Sequence, residues 1–326
     1  MTQRGNGEAP AVSVVVPARN AAATMPQLLA ALGRSTFVGR WELVVVDDVS
    51  VDGTGEQAEE WGAKVIRLQR QSGAAAARNA GVAGSAAPLI AFTDADCEPS
   101  PGWLSALVES LGGADLVIGP VEPVPGTAMG PFDRTLWVSR GSPLFETANL
   151  SVRREIIERV GGFRPFVGTP GDSSAGLRPT ADQRPLGEDV VFGWRARRAG
   201  ARVAFSERAL VHHAVFAGGA REFVAERWRR RFFPALVREI PELRRHLPWG
   251  VFLARQTAAF DLAAAGMALG LATGRRWPVL FAVPYLTRYV GWRELMRWRT
   301  LVFLAADGVS LAALVRGSIA ARRLLL

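Results

Sequence analysis

Acidic side chains gather at three places in this 326-residue sequence, each bordering an apolar or helical run. Val46-Asp47-Asp48-Val49-Ser50-Val51-Asp52-Gly53-Thr54 ends a run of valines with two adjacent carboxylates and a third close behind. Phe92-Thr93-Asp94-Ala95-Asp96-Cys97 ends another, with its acids two residues apart. Gly187-Glu188-Asp189 opens a helical pattern. Carboxylates at the end of a buried strand lie where open α/β sheets bind ligands. Those at 47 and 48 can accept hydrogen bonds from a base or a ribose. A pair of oxygen ligands suits Mg²⁺ or Mn²⁺, which bind through one or two carboxylates plus a substrate's phosphates. On a strand, alternation puts Asp94 and Asp96 on one side with Ala95 turned away.

Each of these groups also has a plain structural reading. Asp52 before Gly53-Thr54 suits a helix cap. Glu188 and Asp189 suit the acidic first turn that a helix dipole favours. Arg78 is the one charge in the Ala-rich stretch Gly73 to Gly81, and Pro17 ends the first strand. Cys97 is the single cysteine, which leaves no intramolecular disulfide and no multi-cysteine zinc site.

The elements that must carry these groups follow from the spacing of apolar residues. AVSVVVPARN, WELVVVDDVS, AKVIRL and PLIAFTDADC are short β-branched or apolar runs separated by helical patterns. Such runs predict a parallel sheet covered on both faces, α/β and doubly wound in character. A helix over 99–111, the strand ADLVIGPV, a strand-turn-helix in ANLSVRREIIERVGGF and the strand ARVAFS continue the pattern. No GxGxxG follows the first strand and no GxxxxGK[ST] occurs, which excludes the dinucleotide fingerprint and the P-loop. Residues 164–187 carry turn formers without periodicity, and a polar loop of that length is expected to be either functional, able to close over a substrate, or disordered.

Charge divides the chain. Residues 1–215 hold 21 basic and 23 acidic side chains, whereas 216–326 hold 18 and 7, so the net charge of +9 sits in the last third. That third is also rich in Trp, Phe, Leu and Ala, and it contains three apolar segments, 257–274, 277–291 and 300–315. Each falls just short of the ~20 residues that span a bilayer. Asp261, Arg288 and Asp307 interrupt them, and Trp249, Trp277, Trp292 and Trp298 stand at their edges, where interfacial anchors belong. The expectation is a basic, helical, membrane-associated region over 216–326, peripheral or shallowly integral, and no nucleic-acid partner. The opening MTQRGNGEAP has no apolar core of a secretory signal, so residues 1–10 are expected to be a flexible terminus on a cytoplasmic protein.

Taken in order, SVVVPARN, VVVDDVSVDGT, AAARNAG, FTDADCEPSPGWL, NLSVRRE, GGF and GEDVVFGWRARRAG strongly resemble the family 2 inverting glycosyltransferases, over about residues 11–215. The resemblance implies a GT-A fold, a Rossmann-like mixed sheet flanked by helices, in a catalytic domain over 11–215. It implies a nucleotide-sugar donor, usually of uridine, held by Pro17, Asn20, Asp47, Asp48, Arg78 and Asp94. It implies a divalent metal, Mn²⁺ or Mg²⁺, on Asp94 and Asp96. Ala209, Val211 and His213 match a family pattern A-x-V-x-H whose histidine is a further metal ligand. One departure is a valine in VDDVSVDGT where the family more often has glycine or asparagine.

Within that resemblance, inversion needs one ionised carboxylate beside the acceptor hydroxyl. Asp189 is the expected base with Glu188 beside it, and the helix N-terminus is expected to keep it ionised at neutral pH. The tail suggests a glycan or lipid-linked acceptor and the cytoplasmic face of a membrane. Two other classes compete. A nucleotidyltransferase making sugar nucleotides needs a glycine-rich loop with Arg and Lys after the first strand, which PARN does not supply. A non-enzymatic membrane or nucleic-acid adaptor leaves the strand-end carboxylates without a role.

Overall fold

The computed structural model describes residues 9–166, 187–290 and 298–326. Residues 1–8, most of the long polar segment (167–186) and 291–297, including Trp292, lie outside the described residues. The chain forms two compact units. One runs to Met129 and continues through Arg134–Phe166 and Gly187–Phe216; the other takes Gly130–Asp133 and the chain from Ala217 onward.

The first unit is built on seven strands: β1 (Val12–Ala18), β2 (Trp41–Asp47), β3 (Lys64–Arg67), β4 (Leu89–Phe92), β6 (Leu116–Ile118), β8 (Leu150–Arg153) and β9 (Val203–Phe205). Their order is β3-β2-β1-β4-β8-β6-β9. The parallel sheet expected from sequence holds for β1 to β4, but β8 runs antiparallel to both β4 and β6, so the whole is mixed. A second, three-stranded sheet orders β5 (Cys97–Pro99), β10 (Val211–His213) and β7 (Val121–Pro123).

Valines fill β1 and β2 because both faces of the sheet are covered, and Val14, Val15, Val16, Val44, Val45 and Val46 are all buried. The one polar residue inside β1, Ser13, is satisfied: it donates to Glu42 and accepts from the Ala87 amide. Helices α1 (Met25–Gly33), α2 (Thr54–Trp61), α3 (Gly73–Ala83), α4 (Trp103–Ser110), α5 (Arg154–Val160) and α6 (Glu188–Arg198) complete the unit. The small residues of α3 serve close packing, since a side chain at Gly81 would collide with Val15 of β1. Pro99 belongs to β5 rather than to α4, so that helix starts later than the sequence pattern suggests.

The second unit is helical among its described residues. Its basic opening is divided into α7 (Ala220–Glu226), α8 (Phe233–Glu239) and short 3-10 turns. Then come α9 (Arg255–Thr273), a 3-10 segment at Trp277–Ala282, the short α10 (Val283–Tyr285) and α11 (Trp298–Ala321). At 24 residues, with an 18-residue stretch of mean hydropathy 1.6, α11 exceeds its sequence estimate and is long and apolar enough to cross a membrane. Its mid-helix acid is nonetheless well partnered, since Asp307 accepts from the Tyr285 hydroxyl at 2.6 Å and from Gln256 at 3.0 Å. Phe132 packs on Phe223, Trp298 and Phe303, anchoring the 130–133 segment within this unit.

Candidate active site

The carboxyl ends of β1 and β2 are joined by side chains that satisfy each other's loops. Pro17 lies within β1 opposite Val46. Asn20, with φ of 49°, accepts from the Val51 amide, and its own amide donates to Ser50 Oγ. The N-cap of α2 is Gly53 rather than Asp52, which stands one residue earlier, accepts from the amide and hydroxyl of Thr54, and also accepts from the Ala22 amide. Asp47 and Asp48 are equally engaged. Asp47 accepts from the Ser50 amide at 2.8 Å, and the two oxygens of Asp48 accept from Ser72 and Gly73 at the start of α3. Each carboxylate oxygen keeps a second lone pair for a ligand.

Asp94 and Asp96 do not sit on a strand. β4 ends at Phe92 and the chain turns, the Cys97 amide donating to the Asp94 carbonyl. The alternation expected from sequence therefore does not apply, and the two side chains go to different partners. Asp94 accepts from Arg78 at 3.1 Å, and the same guanidinium reaches Glu188 at 3.1 Å. Arg78 itself is buried, with its Nε unpartnered and its charged end over the ring of Phe163. It is thus the hub between the Asp-x-Asp turn and the start of α6.

Asp96 turns instead toward His213. The pairing of β5 with β10 sets Cys97 opposite His213, and the Ala214 amide donates to the Asp96 carbonyl. That register brings His213 Nε2 to 3.6 Å from Asp96 Oδ2. His213 Nδ1 lies 2.7 Å from the Ala214 carbonyl, an acceptor only, so Nδ1 donates there and Nε2 is the nitrogen that faces the carboxylate. Asp96, Cys97 and His213 present their ligand atoms within 4.8 Å of one another. Burial and the two nearby aspartates push the Cys97 thiol well up, so it is a neutral wall rather than a thiolate ligand. A carboxylate and an imidazole form a donor set that fits a divalent metal.

Asp189 departs from expectation. Gly187, at φ of 89°, lets the chain enter α6 so that Glu188 and Asp189 stand at its first turn. The dipole of that helix was expected to favour the ionised acid. Burial, and then the adjacent Glu188, outweigh it and push the Asp189 carboxyl up to about 8. Arg78 pulls the other way. Glu146, which burial also raises, adds to the push on Asp189. Sequence reasoning missed Glu146, because residues 120–148, between the strand ADLVIGPV and the motif NLSVRRE, have prolines and glycines but no apolar periodicity. It also gave no role to Asn79, whose amide brackets the backbone of Phe163 at 2.8 Å on both sides. Phe163 stacks on Phe192 of α6 at 4.1 Å, so two motifs seen only as separate strings, ARN and GGF, together seat the helix carrying Asp189.

Residues 13–166 match the family described as Glycosyl transferase family 2. This segment, a little under half of the chain, is similar to the family 2 glycosyltransferases. Glycosyltransferase AglE of Haloferax volcanii is 34% identical over 179 residues, 50% of this chain and 59% of its own length. Succinoglycan biosynthesis protein ExoU of Rhizobium meliloti is 32% identical over 202 residues, 59% of this chain and 58% of its own. The chain thus spans less than two thirds of these curated relatives. Among solved structures, mannosyltransferase PcManGT from Pyrobaculum calidifontis, in complex with GDP-Man and Mn²⁺, superposes with a TM-score of 0.57 at 19% identity. It covers 95% of this chain and 87% of its own. The mixed sheet flanked by helices is the GT-A fold. The family 2 match ends at 166, before α6 and β10, so Glu188, Asp189 and His213 join the site through the fold alone.

Proposed function

We propose that this chain is an inverting glycosyltransferase that moves a sugar from a nucleotide-diphosphate donor, a UDP-sugar in the first instance, to a hydroxyl acceptor. The observation that carries the reading is the convergence of Arg78, Asp94 and Glu188 beside Asp189. Pro17, Asn20, Asp47 and Asp48 line the neighbouring strand ends and are assigned to the nucleoside, with Arg78 and Asp94 behind them. Asp94, Asp96 and His213 would hold a divalent cation, Mn²⁺ or Mg²⁺. Bound there, it would supply positive charge against the diphosphate.

The chain's own residues supply the rest. Asp189 takes the proton of the acceptor hydroxyl, and Glu188 is held off that task by its bond to Arg78. Arg78 places the Asp-x-Asp turn and the α6 N-terminus in one frame, so donor and base keep a fixed separation. With the base opposite the departing diphosphate, the anomeric configuration inverts and no covalent intermediate is needed. The domain over 11–215 is assigned the chemistry. The region over 216–326 is assigned to the cytoplasmic face of a membrane, which favours a lipid-linked or cell-envelope glycan acceptor.

A panel of UDP-, GDP- and TDP-sugars tests the reading by release of nucleoside diphosphate, with Mn²⁺ and with chelator. Metal-dependent release from one donor is expected. Release of pyrophosphate from a nucleoside triphosphate and a sugar phosphate would instead show a nucleotidyltransferase, and no turnover with any donor would return the chain to a binding role.

A further inference from the structure

The helical unit contains a cavity of about 560 Å³ that the glycosyl-transfer reading does not use. Arg255, the first residue of α9, and Arg288 both line it, together with Trp249, Ala259, Leu262 and Pro284. Between residues 255 and 290 the sequence has four arginines, at 255, 275, 276 and 288, and one acid. That acid, Asp261, is buried. Neither Arg255 nor Arg288 makes an ion pair with a described residue. Both arginines are exposed at the rim of an apolar-walled cavity and have no counter-ion among the described residues, an arrangement that suits an anion bringing its own apolar part.

The surroundings say which kind. Beyond the cavity α9 runs on to Thr273, and the chain returns along it as the 277–282 segment. The two arms touch at Gly266, where any side chain would strike Pro278 and Phe281. Both arms leave large apolar side chains in solvent: Leu262, Met267 and Leu271 on one, Trp277, Leu280 and Phe281 on the other. Leu271 is 88% exposed and Leu280 68%. An apolar hairpin of this extent, bordered by arginine and tryptophan and nearly free of acid, has the composition of an element that lies in a membrane interface. Leu262 belongs both to the cavity wall and to this exposed face.

We propose that the cavity binds the phosphate headgroup of a membrane lipid. Arg255 and Arg288 take the phosphate, Trp249, Ala259 and Leu262 take the first carbons of the lipid, and the hairpin lies in the plane of the bilayer surface. The proposal rests on the membrane reading of the helical region and adds to it a defined lipid site.

Flotation of the full chain with phosphatidylcholine vesicles, with and without phosphatidylglycerol, tests it. The double variant Arg255→Ala/Arg288→Ala is compared with Arg275→Ala/Arg276→Ala, which removes the same charge at the exposed hairpin turn. The wild-type chain is expected to float with the anionic vesicles. Loss of the cavity pair is expected to weaken partitioning roughly ten-fold more than loss of the turn pair, because charge-assisted bonds go with it. A soluble short-chain phosphatidylglycerol should compete with the vesicles, and inorganic phosphate at the same concentration should not. Equal losses in the two variants would overturn the lipid site and leave the membrane reading standing. A wild-type chain that ignores anionic vesicles would overturn both. Competition by inorganic phosphate as strong as by the short-chain lipid would show a free-anion site and reject the lipid.

Discussion

Arg78 and Glu188 are 110 residues apart in the chain and meet at 3.1 Å in the first unit, with the other guanidinium nitrogen on Asp94. The ion pair joins the turn after β4 to helix α6, the donor side and the base side of the proposed reaction. Arg78 is buried and Glu188 nearly so, and removing one member of a buried pair leaves the other charge uncompensated. Arg78→Ala is therefore expected to lose about 3 kcal/mol of stability, near the low end for such pairs because Asp94 retains some solvent. A double-mutant cycle with Glu188→Gln, read from denaturant midpoints, should show a coupling of roughly 1–3 kcal/mol. Additive losses would mean that the contact carries no energy.

As the proposed base, Asp189 sets the expected pH dependence. A base must be ionised to accept a proton, and its carboxyl stands at about 8 because of burial and Glu188. In the free enzyme kcat/KM should therefore fall about ten-fold per pH unit below 8 and level off above it. Glu188→Gln removes the like charge and frees Arg78, and both changes favour ionised Asp189, so the limb should move to lower pH. Asp189→Asn should abolish the limb and cost roughly 10²–10⁴-fold in turnover with donor binding kept. A limb that stays in place in Glu188→Gln, or a normal rate in Asp189→Asn, would reject Asp189 as the base.

His213 and His212 are neighbours with opposite expectations. His213 Nε2 faces Asp96, whereas His212 Nδ1 is buried without a partner in the described structure. His213→Ala should raise the Mn²⁺ concentration for half-maximal turnover about 10–100-fold. His212→Ala should leave the metal titration in place. The reverse pattern would move the metal away from Asp96.

Sequence periodicity exposes most of this fold and only part of its site. The valine runs of β1 and β2 declare buried strands, because a helix or a half-exposed strand would alternate with polar residues. β8 carries no comparable mark of direction. Leu150–Arg153 is four residues long, and a strand reads alike whether it runs with or against its neighbours. The Asp-x-Asp was visible as a motif, but the turn at Asp94 that parts its two side chains is set by pairing of β5 with β10, more than 110 residues downstream. Asp189 was visible as an acid on a helix start. Its raised pKa comes first from burial beneath distant residues, then from adjacent Glu188 and last from Glu146, and of these only Glu188 leaves a local signature.

Val49 offers a test of how tightly the strand-end loop is built. It follows Asp48 with φ of 61°, in the left-handed region where a β-branched side chain crowds the backbone. The conformation persists because Asp47 and Asp48 are bonded on either side, to the Ser50 amide and to the start of α3. Glycine adopts this region without steric cost, at a smaller entropic penalty in the unfolded chain. Val49 is 40% exposed, so little packing is lost on its removal. Val49→Gly should therefore stabilise the protein by about 1 kcal/mol, the difference between relieved strain and added chain entropy. Thermal unfolding reads this as a higher Tm than wild type. A lower Tm would show that the valine side chain contributes more through contacts than its backbone costs, and would make this loop a packed element rather than a strained one.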